Sequence, residues 1–140
     1  MRVREGFSLV EMLVAMVIAF IVLTGLFMAT VYAIKTSLYK AYFSEATSIL
    51  HEKLEELHRM DFDAINSSLN KGATSCKDAL KNKKNVVKRQ IRNREAEFGL
   101  YYSITSDPKL AIKKVKLDVC WFLKNRYHQI SGSTVVRKVE

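Results

Sequence analysis

The sequence predicts an α+β protein: one long N-terminal helix followed by a small antiparallel β-sheet of three to four strands. Three observations carry this. From Phe7 to Ile34 a single side chain, Glu11, is charged at neutral pH. From Tyr42 to Leu57 apolar residues recur at helical spacing. From Lys114 to Leu123 apolar and polar residues alternate, the period of a half-buried strand.

The first element is long enough to cross a bilayer. A spanning helix needs roughly 20 mostly apolar residues, and within lipid its backbone hydrogen bonds must close internally, as a helix closes them. Leu, Val, Ile, Met, Ala and Phe dominate the 7–34 segment. A carboxylate there costs on the order of a few kcal/mol when it has no partner. The span supplies no Lys, Arg or His, so Glu11 needs a cation from elsewhere. At the N-terminal turn the helix dipole and interfacial water also ease its charge. Arg2 and Arg4 precede the span while Lys35 and Lys40 follow it, so charge does not fix the orientation.

A cut between Gly6 and Phe7 would create that cation, placing the new α-amino group of Phe7 about one helical turn from Glu11. The run Gly6, Phe7, Ser8, Leu9, Val10, Glu11, Met12 and Leu13 resembles the class III prepilin signal of type IV pilins and type II secretion pseudopilins. The resemblance implies a leader, 1–6, removed on the cytoplasmic side by a prepilin peptidase that also N-methylates Phe7. Glu11 matches the acid that attracts the N-terminal amine of a neighbouring subunit during assembly. It also implies single-pass insertion in the inner membrane with the N-terminus cytoplasmic, an assembly platform there, other pilins as partners, and a periplasmic or extracellular filament afterwards. A Sec-type signal fits less well, because the cut precedes the apolar run and no small-x-small site follows closely.

The helix continues past the membrane. No Pro occurs before Pro108, and Tyr42, Ala46, Ile49, Leu50, Leu54 and Leu57 form one apolar stripe. Lys40, Glu45, Glu52, Lys53, Glu56 and Arg59 occupy the opposite face. A helix from Phe7 to Arg59 would measure about 80 Å. Gly25 is its softest point, since Gly inside a helix is worth roughly 1 kcal/mol less than Ala. The stretch from Glu52 to Leu57, followed by Met60-Asp61-Phe62, resembles the helix end of PilV-type minor pilins and of I-type minor pseudopilins, a looser match than the signal.

The soluble part, 35–140, holds one small domain with a modest core. It divides into an amphipathic helix (35–59), a variable basic connection (60–97) and a sheet (98–140). Asn66, Ser67, Ser68, Asn70, Gly72 and Ser75 mark turns in the connection. A short helix there would turn Val86, Val87 and Ile91 inward. Strands are expected at 98–105, 114–123 and 128–138, with Lys124-Asn125-Arg126-Tyr127 as a hairpin loop. Gly132, between Ser131 and Ser133, weakens the middle of the last strand.

The net charge is +9, and it falls by one if Arg2, Arg4 and Glu5 leave together. Lys77, Lys81, Lys83, Lys84, Lys88, Arg89, Arg92 and Arg94 concentrate it. Two readings stand: a solvated loop face, or a salt-sensitive contact with DNA or another anionic surface. Cys76 and Cys120 leave two readings as well. An exported domain meets an oxidising compartment, where a disulfide would stabilise by roughly 3 to 4 kcal/mol; otherwise they are separate buried thiols. Cys120 points away from the face of Val119 and Trp121, so a bridge would draw the 61–97 segment across the outer face of the sheet.

No catalytic set emerges. His51 and His58 lie about 10 Å apart along a helix, too far to share a metal. There is no Gly-rich phosphate loop, no Gly-x-Ser-x-Gly elbow and no Cys-x-x-Cys pair. The expected protein is a structural subunit with no cofactor and no metal: a minor type IV pilin, a type II secretion pseudopilin or a DNA-uptake pilin. From another class, a bitopic membrane tether remains the rival.

Overall fold

The computed structural model describes residues 8–107 and 111–138. The chain divides into two units, Met1–Tyr39 and Lys40–Glu140. Helix α1, Leu9–Arg59, contributes to both. Its first part is the apolar segment. Its last turns carry the amphipathic stripe, where Ala46, Ile49, Leu50 and Leu57 are buried.

Four strands follow: β1 (Val86–Ile91), β2 (Arg94–Asp107), β3 (Ile112–Leu123) and β4 (Arg126–Arg137). They form one antiparallel sheet in the order β1-β2-β3-β4. Side chains alternate between its two faces. Phe98, Leu100, Val115, Leu117, Val119 and Trp121 point inward and join the helix stripe in one core cluster. Ile49, Phe98, Val115, Leu117 and Val119 are wholly excluded from solvent. Aromatic rings thread this layer: Tyr42 and Phe98 lie 6.2 Å apart, Phe98 and Trp121 5.9 Å, Trp121 and His128 5.6 Å.

The sheet begins earlier than the sequence predicts. Val86, Val87 and Ile91 lie in a strand, not in a short helix, and β2 starts at Arg94 inside the segment assigned to a basic connection. Arg92 and Asn93 both adopt left-handed backbone, φ 47° and 61°. That pair makes the two-residue turn that suits the twist of a hairpin. A turn built from Arg-Asn carries no glycine to announce it. The β3–β4 hairpin uses the same device at Lys124 and Asn125, φ 50° and 62°, so Arg126 and Tyr127 belong to the strand.

Gly132 has a role the sequence did not suggest. A Cβ at this position would sit 3.1 Å from methyl groups of both Leu50 and Leu54. Its bare backbone lets the helix settle onto β4, beside a 2.7 Å hydrogen bond between Thr134 Oγ1 and His58 Nε2. Across the outer face, Gly99 does the same for helix α2 (Cys76–Lys81): its absent Cβ would lie 3.0 Å from Cys120 Sγ, Cys76 O and Leu80 Cβ.

Two buried asparagines finish the edge of β2. Pairing with β1 ends at Val86–Gly99, which leaves the main chain beyond it open. Asn70 closes part of that opening, donating from Nδ2 to Tyr102 O (2.9 Å) and accepting from Tyr102 N (2.7 Å). Asn85 donates to the carbonyls of Leu69 and Leu100. Side-chain amides thus replace a missing strand, as buried backbone groups require.

Two outcomes follow from this packing. Gly132→Val should lower stability by about 1 to 3 kcal/mol through overpacking against Leu50 and Leu54, read as a lower thermal midpoint with Gly132→Ala in between. Burial, with a smaller contribution from the Glu56 carboxylate, pushes the Tyr102 phenol up to about 12. The fold therefore favours the neutral phenol, and this stabilisation is intact below the unfolded value of ~10 and lost as pH rises toward the folded one. Denaturant titrations on either side of this window should show the loss, and Tyr102→Phe should reduce it.

Candidate membrane-anchor and assembly site

The site lies at the start of α1. Glu11 stands in the first helical turn, where Met12 N donates to Ser8 O at 3.1 Å. A carboxylate there meets the unbonded N–H groups of the helix start and the positive end of its dipole. Among the described residues Glu11 has no ion-pair partner. Gly6 and Phe7, the expected cleavage and methylation residues, lie outside the described residues.

Beyond Glu11 the helix surface is apolar all round. An 18-residue window reaches a mean hydropathy of 2.7 with none of it buried in the protein. Leu9, Met16, Phe20, Leu23 and Phe27 are each more than three-fifths exposed. Such a surface needs an apolar surrounding, either lipid or other helices. Its threonine hydroxyls are satisfied from within. Thr24 Oγ1 donates to Phe20 O at 2.8 Å, Thr30 to Phe27 O at 2.8 Å and Thr36 to Tyr32 O at 3.0 Å. These bonds remove the cost of carrying a free hydroxyl into lipid.

The basic residues are partly consumed by the fold. Lys83 pairs with Glu97 at 3.1 Å, and Lys84 with Asp78 at 3.3 Å while also donating to Gly72 O. Lys88 pairs with Glu95 at 2.6 Å, and these hydrogen bonds raise its ammonium above the usual lysine value. Arg89 projects from the edge strand and joins Glu45 at 3.3 Å and Glu52, two acids on one face of α1. It clamps helix to sheet. Lys77, Lys81 and Arg94 carry no ion pair among the described residues.

Cys76 and Cys120 are joined, with Cα atoms 6.1 Å apart. With Leu80 and Tyr101 they form a small second cluster, on the side of β3 opposite Val119 and Trp121. The bridge holds α2 against the sheet above Gly99. Ser75 caps α2 by accepting from Asp78 N at 3.1 Å. The Asp78 carboxylate accepts from Thr74 N in return, a contact that keeps it below the ordinary aspartate value, aided by Asn82 and Lys84. This reciprocal cap matches the Ser-x-x-acid pattern.

His51 and His58 do not come together at a centre, since His58 is spent on Thr134. Among the described residues no group of three or more His, Cys, Asp or Glu could hold a metal. The structurally decisive residues that sequence reasoning missed are Gly99, Gly132, Asn70 and Arg89. Of these only the glycines left a signal, a small residue inside a strand pattern.

Comparison with known proteins adds one finding. Residues 1–27 match the family model of the prokaryotic N-terminal methylation motif. No curated protein matches the chain, and no solved structure matches it. The motif, the apolar helix and the α+β architecture support a pilin-like or pseudopilin-like protein with a membrane anchor, a structural class. A prepilin signal implies processing by a prepilin peptidase and assembly with other pilins.

Proposed function

We propose that the protein is a minor type IV pilin, cut between Gly6 and Phe7, N-methylated on Phe7, and assembled into or priming a pilus filament. The observation that carries this is Glu11, a lone acid at the head of the apolar segment of α1, four residues after Phe7 of the Gly-Phe junction. Cleavage supplies the charge that Glu11 lacks. The 1–6 leader would stay cytoplasmic, the 7–34 segment would hold the subunit in the inner membrane, and the 35–140 part would stand outside it.

Assembly is then a transfer between two apolar surroundings. In the filament the exposed helix surface packs on neighbouring helices in place of lipid, and Glu11 pairs with a Phe7 amine of an adjacent subunit. Head-to-tail contacts of this kind do not close, so they extend a fibre. A type II secretion minor pseudopilin would use the same steps, and gene neighbourhood separates the two. DNA uptake ranks third, because Lys83, Lys84, Lys88 and Arg89 already have intramolecular acids, which reduces the charge open to phosphate.

Mass spectrometry of the membrane form should find methylated Phe7 as the first residue. Gly6→Leu should abolish that product, whereas an N-terminus at Met1 in a host with active peptidase would favour a simple tether. Glu11→Ala should still be inserted and processed yet be depleted several-fold from sheared filaments. Normal incorporation of that variant would remove the pairing role.

A further inference from the structure

Exposed cations and exposed aromatic rings gather at one end of the Lys40–Glu140 unit. Within it α1 runs along the sheet from Tyr42, whose ring lies 6.2 Å from Phe98, to His58, which is bonded to Thr134. Phe98 in turn contacts Trp121 at 5.9 Å. A few residues past that contact the strands end at the turns Arg92-Asn93 and Lys124-Asn125. The chain enters the unit at Lys40, just before Tyr42. Both turns therefore share the end at which the apolar segment is attached.

Lys40, Arg94, Lys124 and Arg126 are exposed there, and none carries an ion pair among the described residues. The acids of this end are already matched: Glu45 to Arg89 at 3.3 Å, Glu95 to Lys88 at 2.6 Å and Glu97 to Lys83 at 3.1 Å. Positive charge is left over. The far end differs, because it sets Asp61, Asp63 and Asp107 among Arg137 and Lys138. Apolar exposure is equally one-sided. Among the described residues of the unit the exposed large apolar side chains are Phe43, Phe122, Tyr127 and Val135, and all but Val135 belong to the cationic end. Phe122 and Tyr127 meet edge to face at 5.8 Å, one on each side of the Lys124-Asn125 turn.

This arrangement suits a plane and not a groove. Arg94 and Arg126 share the inner face of the sheet with Phe98 and His128, Phe122 and Tyr127 share the outer face with Cys120 and Gln129, and Lys40 stands on the exposed side of α1. A nucleic-acid strand or an acidic peptide would follow one of these faces and miss the others. A flat anionic layer laid across the end meets them all. Lys and Arg near such a layer are drawn to it, and aromatic side chains settle at its headgroup level.

We propose that the turns Arg92-Asn93 and Lys124-Asn125, together with Lys40 and the Phe122–Tyr127 pair, form a foot that rests on the anionic headgroups of the bilayer holding the apolar segment. The proposal rests on membrane insertion of that segment and does not depend on the filament reading.

The test places the full chain in lipid nanodiscs, one set made of phosphatidylcholine alone and one containing phosphatidylglycerol. Amide hydrogen exchange at the two turns should be roughly threefold or more slower in the phosphatidylglycerol discs, and the difference should shrink as salt rises. Lys124→Glu combined with Arg126→Glu should abolish it, and Lys124→Gln alone should give an intermediate loss. Lys114→Glu combined with Arg137→Glu makes the same change of charge at the far end and should leave it in place. Slow amides in the middle of β3 report that the sheet of each variant is folded. Equal exchange in the two lipids, a difference that salt does not weaken, undiminished protection in a folded Lys124 variant, or equal loss in the far-end variant would overturn the proposal. So would a single-stranded oligonucleotide that protects the turns in phosphatidylcholine discs more strongly than phosphatidylglycerol does, since the occupant would then be nucleic acid. A wild-type chain that does not enter the discs would remove the membrane anchor itself, and the foot with it.

Discussion

The seating of α1's apolar stripe on the inner face of the sheet is the contact on which the Lys40–Glu140 unit depends. Ile49 and Leu57 reach full burial only because Phe98, Leu100, Val115, Leu117 and Val119 present a continuous apolar layer to them. A domain this small has one core to spend. Gly132 admits Leu50 and Leu54, and Arg89 ties Glu45 and Glu52 to the far edge strand. Packing on one side and ion pairs on the other hold the same stretch of helix, so its angle across the sheet is fixed at two places.

The opposite face of the sheet is organised by a different economy. There α2 lies close against β2 and β3 because Gly99 has no side chain, and the Cys76–Cys120 bridge keeps it there. The Ser75 and Asp78 cap ends the preceding turn and starts the helix within a few residues. What reads in sequence as a basic, glycine-marked connection is thus a tethered layer, and much of its charge is matched by Glu95, Glu97 and Asp78. Charge density along a chain overstates the field at a surface when partners come from other elements.

The first part of α1 obeys another solvent. There no described residue covers Leu9 to Phe27, threonine hydroxyls turn back on their own helix, and one acid stands at the start. These features suit a segment that lies in an apolar surrounding. The Lys40–Glu140 unit carries its own core.

The sequence by itself determined the helix, its amphipathic stripe, β3 and the prepilin-like junction, because each is encoded by local periodicity or by contiguous residues. It located Glu11 and the need for a counter-ion for the same reason. The start of the sheet at Val86 was not legible: Arg92-Asn93 turns the chain without glycine, and Val86, Val87 and Ile91 suit a helix or a strand alike. Nor could local pattern show that Asn70 stands in for a strand beside Tyr102, that Arg89 spans to α1, or that Gly132 and Gly99 are contact points. Those assignments depend on residues far apart in sequence meeting across the sheet. Only the tertiary structure decides such meetings, because hydrogen bonds, ion pairs and close approach are properties of distance in space and not of spacing along the chain.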